Sequence, residues 1–214
     1  MVTGDAAWTT RDMSGVWQPD PFLRASAIVD WSAPAVLAQA QDLRGDAEDQ
    51  VEVARRCFLW VRDEIRHSVD AGDDILTLRA SEVLHERTGF CFAKCHLLVA
   101  LLRANGIRAG FSYQRLAQKD ERRAFCLHGL TVADLPGYGW YRMDPRGNKP
   151  SVRSEFAPPS ERLAFRVSQV GEVQFPRLYA EPVAVVVRAL ERRQRVSTVA
   201  ACLPDALTAF ELER

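Results

Sequence analysis

Residues 87–110 read RTGFCFAKCHLLVALLRANGIRAG, an apolar run headed by two cysteines and a histidine. Between Leu97 and Leu102 almost every side is apolar, so the run predicts a helix from Cys91 to Asn105 that lies inside the core rather than on it. Asn105-Gly106 ends it. A buried helix has no need of sulfur at its head, and Cys91 falls where the Gly89 turn gives way to the first helical turn. There the unpaired backbone N–H groups and the helix dipole favour negative charge. A thiol so placed is set up as a nucleophile, and the same N–H groups are set up to hold an oxyanion.

The neighbouring segments supply the rest of a core. APAVLAQAQDLRG carries Ser32 as a cap, Pro34 in its first turn and Gly45 past its end, which predicts a short helix. Asp46 is expected to open a second, in which Val51, Ala54, Phe58, Val61 and Ile65 recur at helical spacing over about 48–67. Cys57 and Trp60 flank that stripe as core filler. After the VDAGDD loop, ASEVLHER is a further short helix ending at Gly89. AGFSYQRL, AFCLHGLTVADL and GWYRMD, separated by AQKDERR and PGYG, predict three strands of an antiparallel sheet. The residues before about 30 are expected as a loosely packed arm or, around RASAIVD, an edge strand, and LAFRV as one more strand. Pro182 opens a helix to about residue 193, and Ser197 caps a last one over 198–203.

Apolar residues make up 47% and charged residues 26% of the chain, the balance of an ordinary folded domain. Lys plus Arg and Asp plus Glu both total 28, which leaves no electrostatic footprint for nucleic acid or an anionic membrane, so neither partner is expected. No apolar run reaches the roughly 18 residues of a spanning helix, and no basic-then-apolar leader opens the chain, so a cytoplasmic protein is expected. Cys57, Cys91, Cys95, Cys126 and Cys202 are scattered and odd in number, which argues for reduced thiols. The length suits one domain over 1–214: an N-terminal arm over 1–30, a core over 31–146, and a loop with C-terminal helices over 147–214.

A nucleophilic thiol needs a base. His128 is the candidate, on a strand face shared with Cys126, Leu130 and Val132 that is expected to look inward. His96 points about 140° away from Cys91 around the helix. His67 and His85 close upstream helices and read as helix-end cations. If the hairpin loop after His128 has an odd number of residues, Asp144 falls on the same face and can orient the imidazole; an even loop turns it away. Thiol, imidazole and carboxylate are the set required for acyl transfer through a thioester. Cys95 reads as core filler, and a disulfide to Cys91 is not expected because side chains four apart on a helix run parallel. Cys91, Cys95, His96 and His128 lack the paired spacing of zinc ligands and DAGDD lacks that of a calcium loop, so no metal and no cofactor is expected. Arg115, Arg122, Arg123, Arg142 and Arg146 read as a solvated rim at the strand ends.

The ordering Cys, His, Asp resembles the transglutaminase-like superfamily of papain-type cysteine enzymes. The matching residues are Gly89, Cys91, LVALLRANGI and Ala109, then His128, PGYGW and Asp144-Pro145, over about 89–146; RASEVLHERTG is similar to the family's lead-in. The resemblance implies an α+β, papain-like fold in which a nucleophile-bearing central helix packs against an antiparallel sheet. It implies Cys91, His128 and Asp144 as catalytic residues. The implied substrate is a peptide, a protein or an acyl thioester, with water or an amine as acceptor. The alternative reading is a noncatalytic protein-binding or scaffold module on the same fold.

Overall fold

The computed structural model describes residues 9–11, 17–118, 125–191 and 195–207, with side chains from Asp20 onward. Arg122, Arg123 and the helix end expected near residue 193 lie outside the described residues. The chain is α+β. β1 (Thr9–Arg11) and β2 (Trp17–Pro19) form a small antiparallel ribbon ahead of the core. The edge strand expected over 24–30 is absent. Ser26 N–H donates to Val29 O at 3.1 Å and Val29 N–H to Ser26 Oγ at 3.1 Å, so a local bend takes the groups a strand would pair.

α1 (Pro34–Arg44) begins after Ala33, without a side-chain cap from Ser32, and ends at Gly45, whose φ of 53° suits glycine. α2 (Gln50–Glu64) is capped by Asp49 rather than Asp46: Oδ1 accepts the Val51 N–H at 3.0 Å. Ala54, Phe58, Val61 and Ile65 are buried as their spacing requires, and Cys57 is buried with them. Then come β3 (Arg66–His67), α3 (Ser68–Ala71), α4 (Ala80–Glu86) and β4 (Thr88–Gly89), with β3 and β4 paired in parallel.

α5 (Cys91–Ala104) is the centre of the molecule, buried on every side from Cys91 to Arg103. α1, α2 and α4 pack on it from one direction, and β5 (Ala109–Ala117) and β6 (Phe125–Leu135) from the other. At its C-terminal end the buried Arg103 guanidinium donates to the carbonyls of Arg24 (2.7 Å), Ala109 (3.0 Å) and Ala180, a cation where the helix dipole favours one. β7 (Gly139–Met143) and β8 (Val173–Gln174) complete an antiparallel sheet in the order β7-β6-β5-β8. α6 (Ala184–Glu191) and α7 (Val196–Ala200) follow; Arg195 rather than Ser197 is the residue before α7.

Two details of the sheet position the site. The β6–β7 loop is 136–138, an odd loop, and the register pairs Thr131 with Met143. Continuing that ladder sets Asp144 across from Leu130, diagonal to His128 and on its face. The face against α5, however, is the alternate one: Phe111 and Tyr113 of β5 meet His96 and Phe92, at 5.5 and 6.4 Å between rings. A Cβ on Gly129 would lie 2.8 Å from Phe92 Cδ1. His128, on the other face, therefore meets only the N-terminal end of α5, at Cys91, and is covered by the segment after β7. Residues 163–167 are not a strand, because their backbone serves that cover: Ala164 N–H goes to Asp144 and Phe165 O accepts from Gln114 Nε2 at 3.2 Å.

Candidate active site

β7 accompanies β6 only from Thr131 onward, so among the described residues no strand lies beside 125–130 on that side. The Leu127 N–H is taken instead by Pro204 O at 2.7 Å. Into this gap come the N-terminus of α5 and the residue just past β7. His128 Nε2 lies 2.8 Å from Asp144 Oδ2. Asp144 is 1% exposed and held from several directions: Oδ1 accepts the Arg146 N–H at 3.1 Å, Oδ2 the Ala164 N–H at 3.2 Å, and its carbonyl the Ser154 hydroxyl at 2.7 Å.

Burial by itself would raise the Asp144 pKa, but the His128 charge and these N–H donors hold it below the ordinary carboxylate value. Burial likewise works to lower His128, yet the Asp144 carboxylate and the Cys91 thiol together raise it to about 10. The ring is thus an imidazolium at neutral pH. With Nε2 engaged by Asp144, Nδ1 is the nitrogen left for Cys91, which acts on the ring as a hydrogen-bond neighbour. Phe165 closes edge-on against His128 at 5.0 Å and 90°. Cys91 and His128 are only 4% and 5% exposed, but both open onto one cavity of about 690 Å³. Of the three residues singled out from the sequence, Cys91 and His128 meet at one crevice and Asp144 lies buried against the imidazole.

His67 was read as a helix-end cation, and the structure corrects that. Its side chain is 7% exposed and lines the same cavity. Burial lowers its pKa to about 3, helped by the charges of Arg146, Lys94 and His128 against that of Asp70, so it is a neutral ring. The β3–β4 pairing sets His67 opposite Gly89, just ahead of Cys91, and its ring rests on Phe90 at 5.5 Å. Nδ1 is buried, 3.5 Å from Asp70 Oδ2 and without a hydrogen bond. Arg146 also departs from the solvated-rim reading: it is 8% exposed, lines the cavity and pairs with Asp70 at 2.7 Å. Arg142 and Arg115 do sit at the periphery, on Glu161 and on the carbonyls of Gly171 and Asp205.

Lys94, passed over in the apolar run, is completely buried one turn after Cys91. Its ammonium donates to the carbonyls of Ile65 and Arg62 (3.2 Å), so it caps the C-terminal end of α2 and ties it to α5. Burial lowers its pKa to about 7. His96 stays in the core, with Nδ1 2.7 Å from Leu78 O and its pKa lowered by burial to about 4. Burial pushes the Cys57 thiol up to about 12 and Cys95 well above its ordinary value, which fits inert filler. Among the described residues no three His, Cys, Asp or Glu side chains cluster as a metal site, and no helix is long and apolar enough to cross a membrane.

Comparison with solved structures gives distant neighbours. One is a Cytophaga hutchinsonii protein provisionally described as a cysteine protease: 24% identity, TM-score 0.47, over 59% of this chain and 41% of that one. Another is the periplasmic domain of TgpA from Pseudomonas aeruginosa: 18% identity, TM-score 0.44, over 58% of this chain and 45% of that one. The chain thus spans less than half the length of either. No curated protein matches it. The model of the transglutaminase-like superfamily matches residues 37–145, just over half of the 214-residue chain, from α1 through Asp144-Pro145. The chain belongs to the transglutaminase-like superfamily.

Proposed function

We propose that the protein is a cysteine enzyme that transfers or hydrolyses an acyl group through a thioester on Cys91, with His128 as base and then acid and Asp144 holding the imidazolium. The observation that carries this reading is the 2.8 Å pair of His128 with the buried Asp144, the imidazole opening, with Cys91, onto one cavity. An imidazolium whose pKa is raised to about 10 is the counter-ion a thiolate needs at neutral pH.

Attack by the Cys91 sulfur on an acyl carbonyl carbon makes a tetrahedral oxyanion. The first-turn N–H groups of α5 have no intrahelical partner and face that charge. The neutral His67 ring is the side chain placed to add a further donor. Collapse expels the leaving group, which takes the proton of His128. The neutral imidazole then removes a proton from the acceptor, water or an amine, whose attack frees Cys91. A peptide, protein or acyl-thioester donor meets the same three groups.

A noncatalytic binding module has no use for a buried imidazolium–carboxylate pair beside a thiol. Alkylation separates the two readings: the enzyme reading expects Cys91 to label with iodoacetamide much faster than the other four cysteines at about pH 6, and the advantage to vanish in His128→Ala. Uniform, slow labelling of all five would contradict it.

A further inference from the structure

Resting on that reading, we infer that the acyl group accepted on Cys91 is compact and apolar, seated in the cavity between the sheet and the C-terminal segment. Beyond Cys91 and His128 the cavity runs past Leu116 and Leu127 of the sheet, Phe165, and Ala200 and Leu203 at the end of α7, with Val69 at its margin. Of the charged groups that line it, Glu172 and Arg146 are engaged elsewhere, and Arg166 is solvent-exposed. Glu172 accepts three backbone N–H groups, from Ala117 (2.9 Å), Ser168 (2.8 Å) and Gln169 (2.9 Å), and Arg146 is held by Asp70. The volume of about 690 Å³ is that of a small-molecule pocket.

The geometry also argues against an extended peptide as the group bound there. Peptides held as strands take main-chain hydrogen bonds from a free sheet edge. Beside the cavity the β6 edge at Leu127 is taken by Pro204, and the far edge of β5 by β8 and by Tyr179. Outside the polar groups around the nucleophile, what remains is the apolar wall of Leu116, Leu127, Phe165, Ala200 and Leu203. In the transfer step the Cys91 sulfur bonds to the acyl carbon, the bond from that carbon to the donor's leaving group breaks, and the leaving group departs with the His128 proton.

The test uses the purified chain and N-acetylcysteamine thioesters of acetate, hexanoate and phenylacetate, beside a glutamine-containing peptide amide, with the rate of acyl-enzyme formation read by intact mass. Each buried methylene favours binding by roughly fourfold, so hexanoyl and phenylacetyl are expected to acylate at least about tenfold faster than acetyl. Ala200→Trp, which fills the cavity away from the thiol, is expected to cut the phenylacetyl-to-acetyl ratio by about tenfold. Equal rates for all three thioesters, a preference for the peptide amide, or an unchanged ratio in Ala200→Trp would overturn the inference. Iodoacetamide labelling of Cys91 is run in parallel. Fast, His128-dependent labelling without apolar acylation refutes the substrate class alone, whereas loss of that labelling refutes the enzyme reading beneath it.

Discussion

Replacing Asp144 by Asn probes the His128–Asp144 pair at its most buried point. The amide keeps the size of the side chain and an oxygen to accept from His128 Nε2, but removes the negative charge. In the native protein His128 is raised from 6.5 to about 10 although burial opposes that, so carboxylate and thiol leave a net preference of about 5 kcal/mol for the charged ring. Without Asp144, burial dominates and the ring becomes neutral. If about half of that preference is felt in thiolate attack, the alkylation rate of Cys91 at neutral pH falls by about a hundredfold. The assay is iodoacetamide alkylation of Cys91, followed by peptide mass from about pH 5 to about pH 9. The native protein is expected to react faster than Asp144→Asn at neutral pH, with the gap narrowing as the pH climbs. Rates within about threefold of each other with the same pH profile would refute the reasoning.

The same linkage has signs that stability measurements read. His128 has a raised folded pKa, so its stabilisation is complete below about 6.5 and is lost as pH climbs through about 10; urea titrations should show native stability falling relative to Asp144→Asn over that window. Lys94 runs the other way. Its folded pKa of about 7 lies below the ordinary 10.5, the unfolded chain binds the extra proton between them, and native stability should rise relative to Lys94→Met over that interval; a constant difference would contradict its burial as an ammonium. Gly129→Ala drives a methyl to within 2.8 Å of the Phe92 ring, and a cost of about 1–3 kcal/mol in urea midpoint analysis is expected, with slower Cys91 labelling because His128 is the next residue. Cys95→Ala, in contrast, should leave the labelling rate of Cys91 within about twofold, since a thiol held neutral by burial takes no part in it.

What could be read from the sequence was what depends on local pattern. The helix from Cys91 was legible because a run apolar on all sides has nowhere to lie but the core. The His128–Asp144 relation was legible as a parity argument, and the three-residue loop 136–138 decides it. Other features arise only from tertiary pairing. His67 enters the cavity through a two-residue parallel pairing of β3 with β4, which leaves no periodic trace. Lys94 looks like a stray charge until α2 presents its terminal carbonyls, and the alternation in LAFRV suggested a strand where the backbone instead serves Asp144 and Gln114. The His128, Leu130 and Val132 face is buried as expected, and the alternate face is buried too: Gly129 and Thr131 look poor as a core face until Phe92 fills the space a side chain would occupy.

Trapping the covalent intermediate during turnover tests the central claim most directly. With a hexanoyl thioester donor and rapid acid quenching, the protein should gain the mass of one acyl group, map it to Cys91, and lose both the adduct and turnover in Cys91→Ser. Turnover that continues in Cys91→Ser, or an acyl group carried on any other residue, would contradict a thioester at the head of α5.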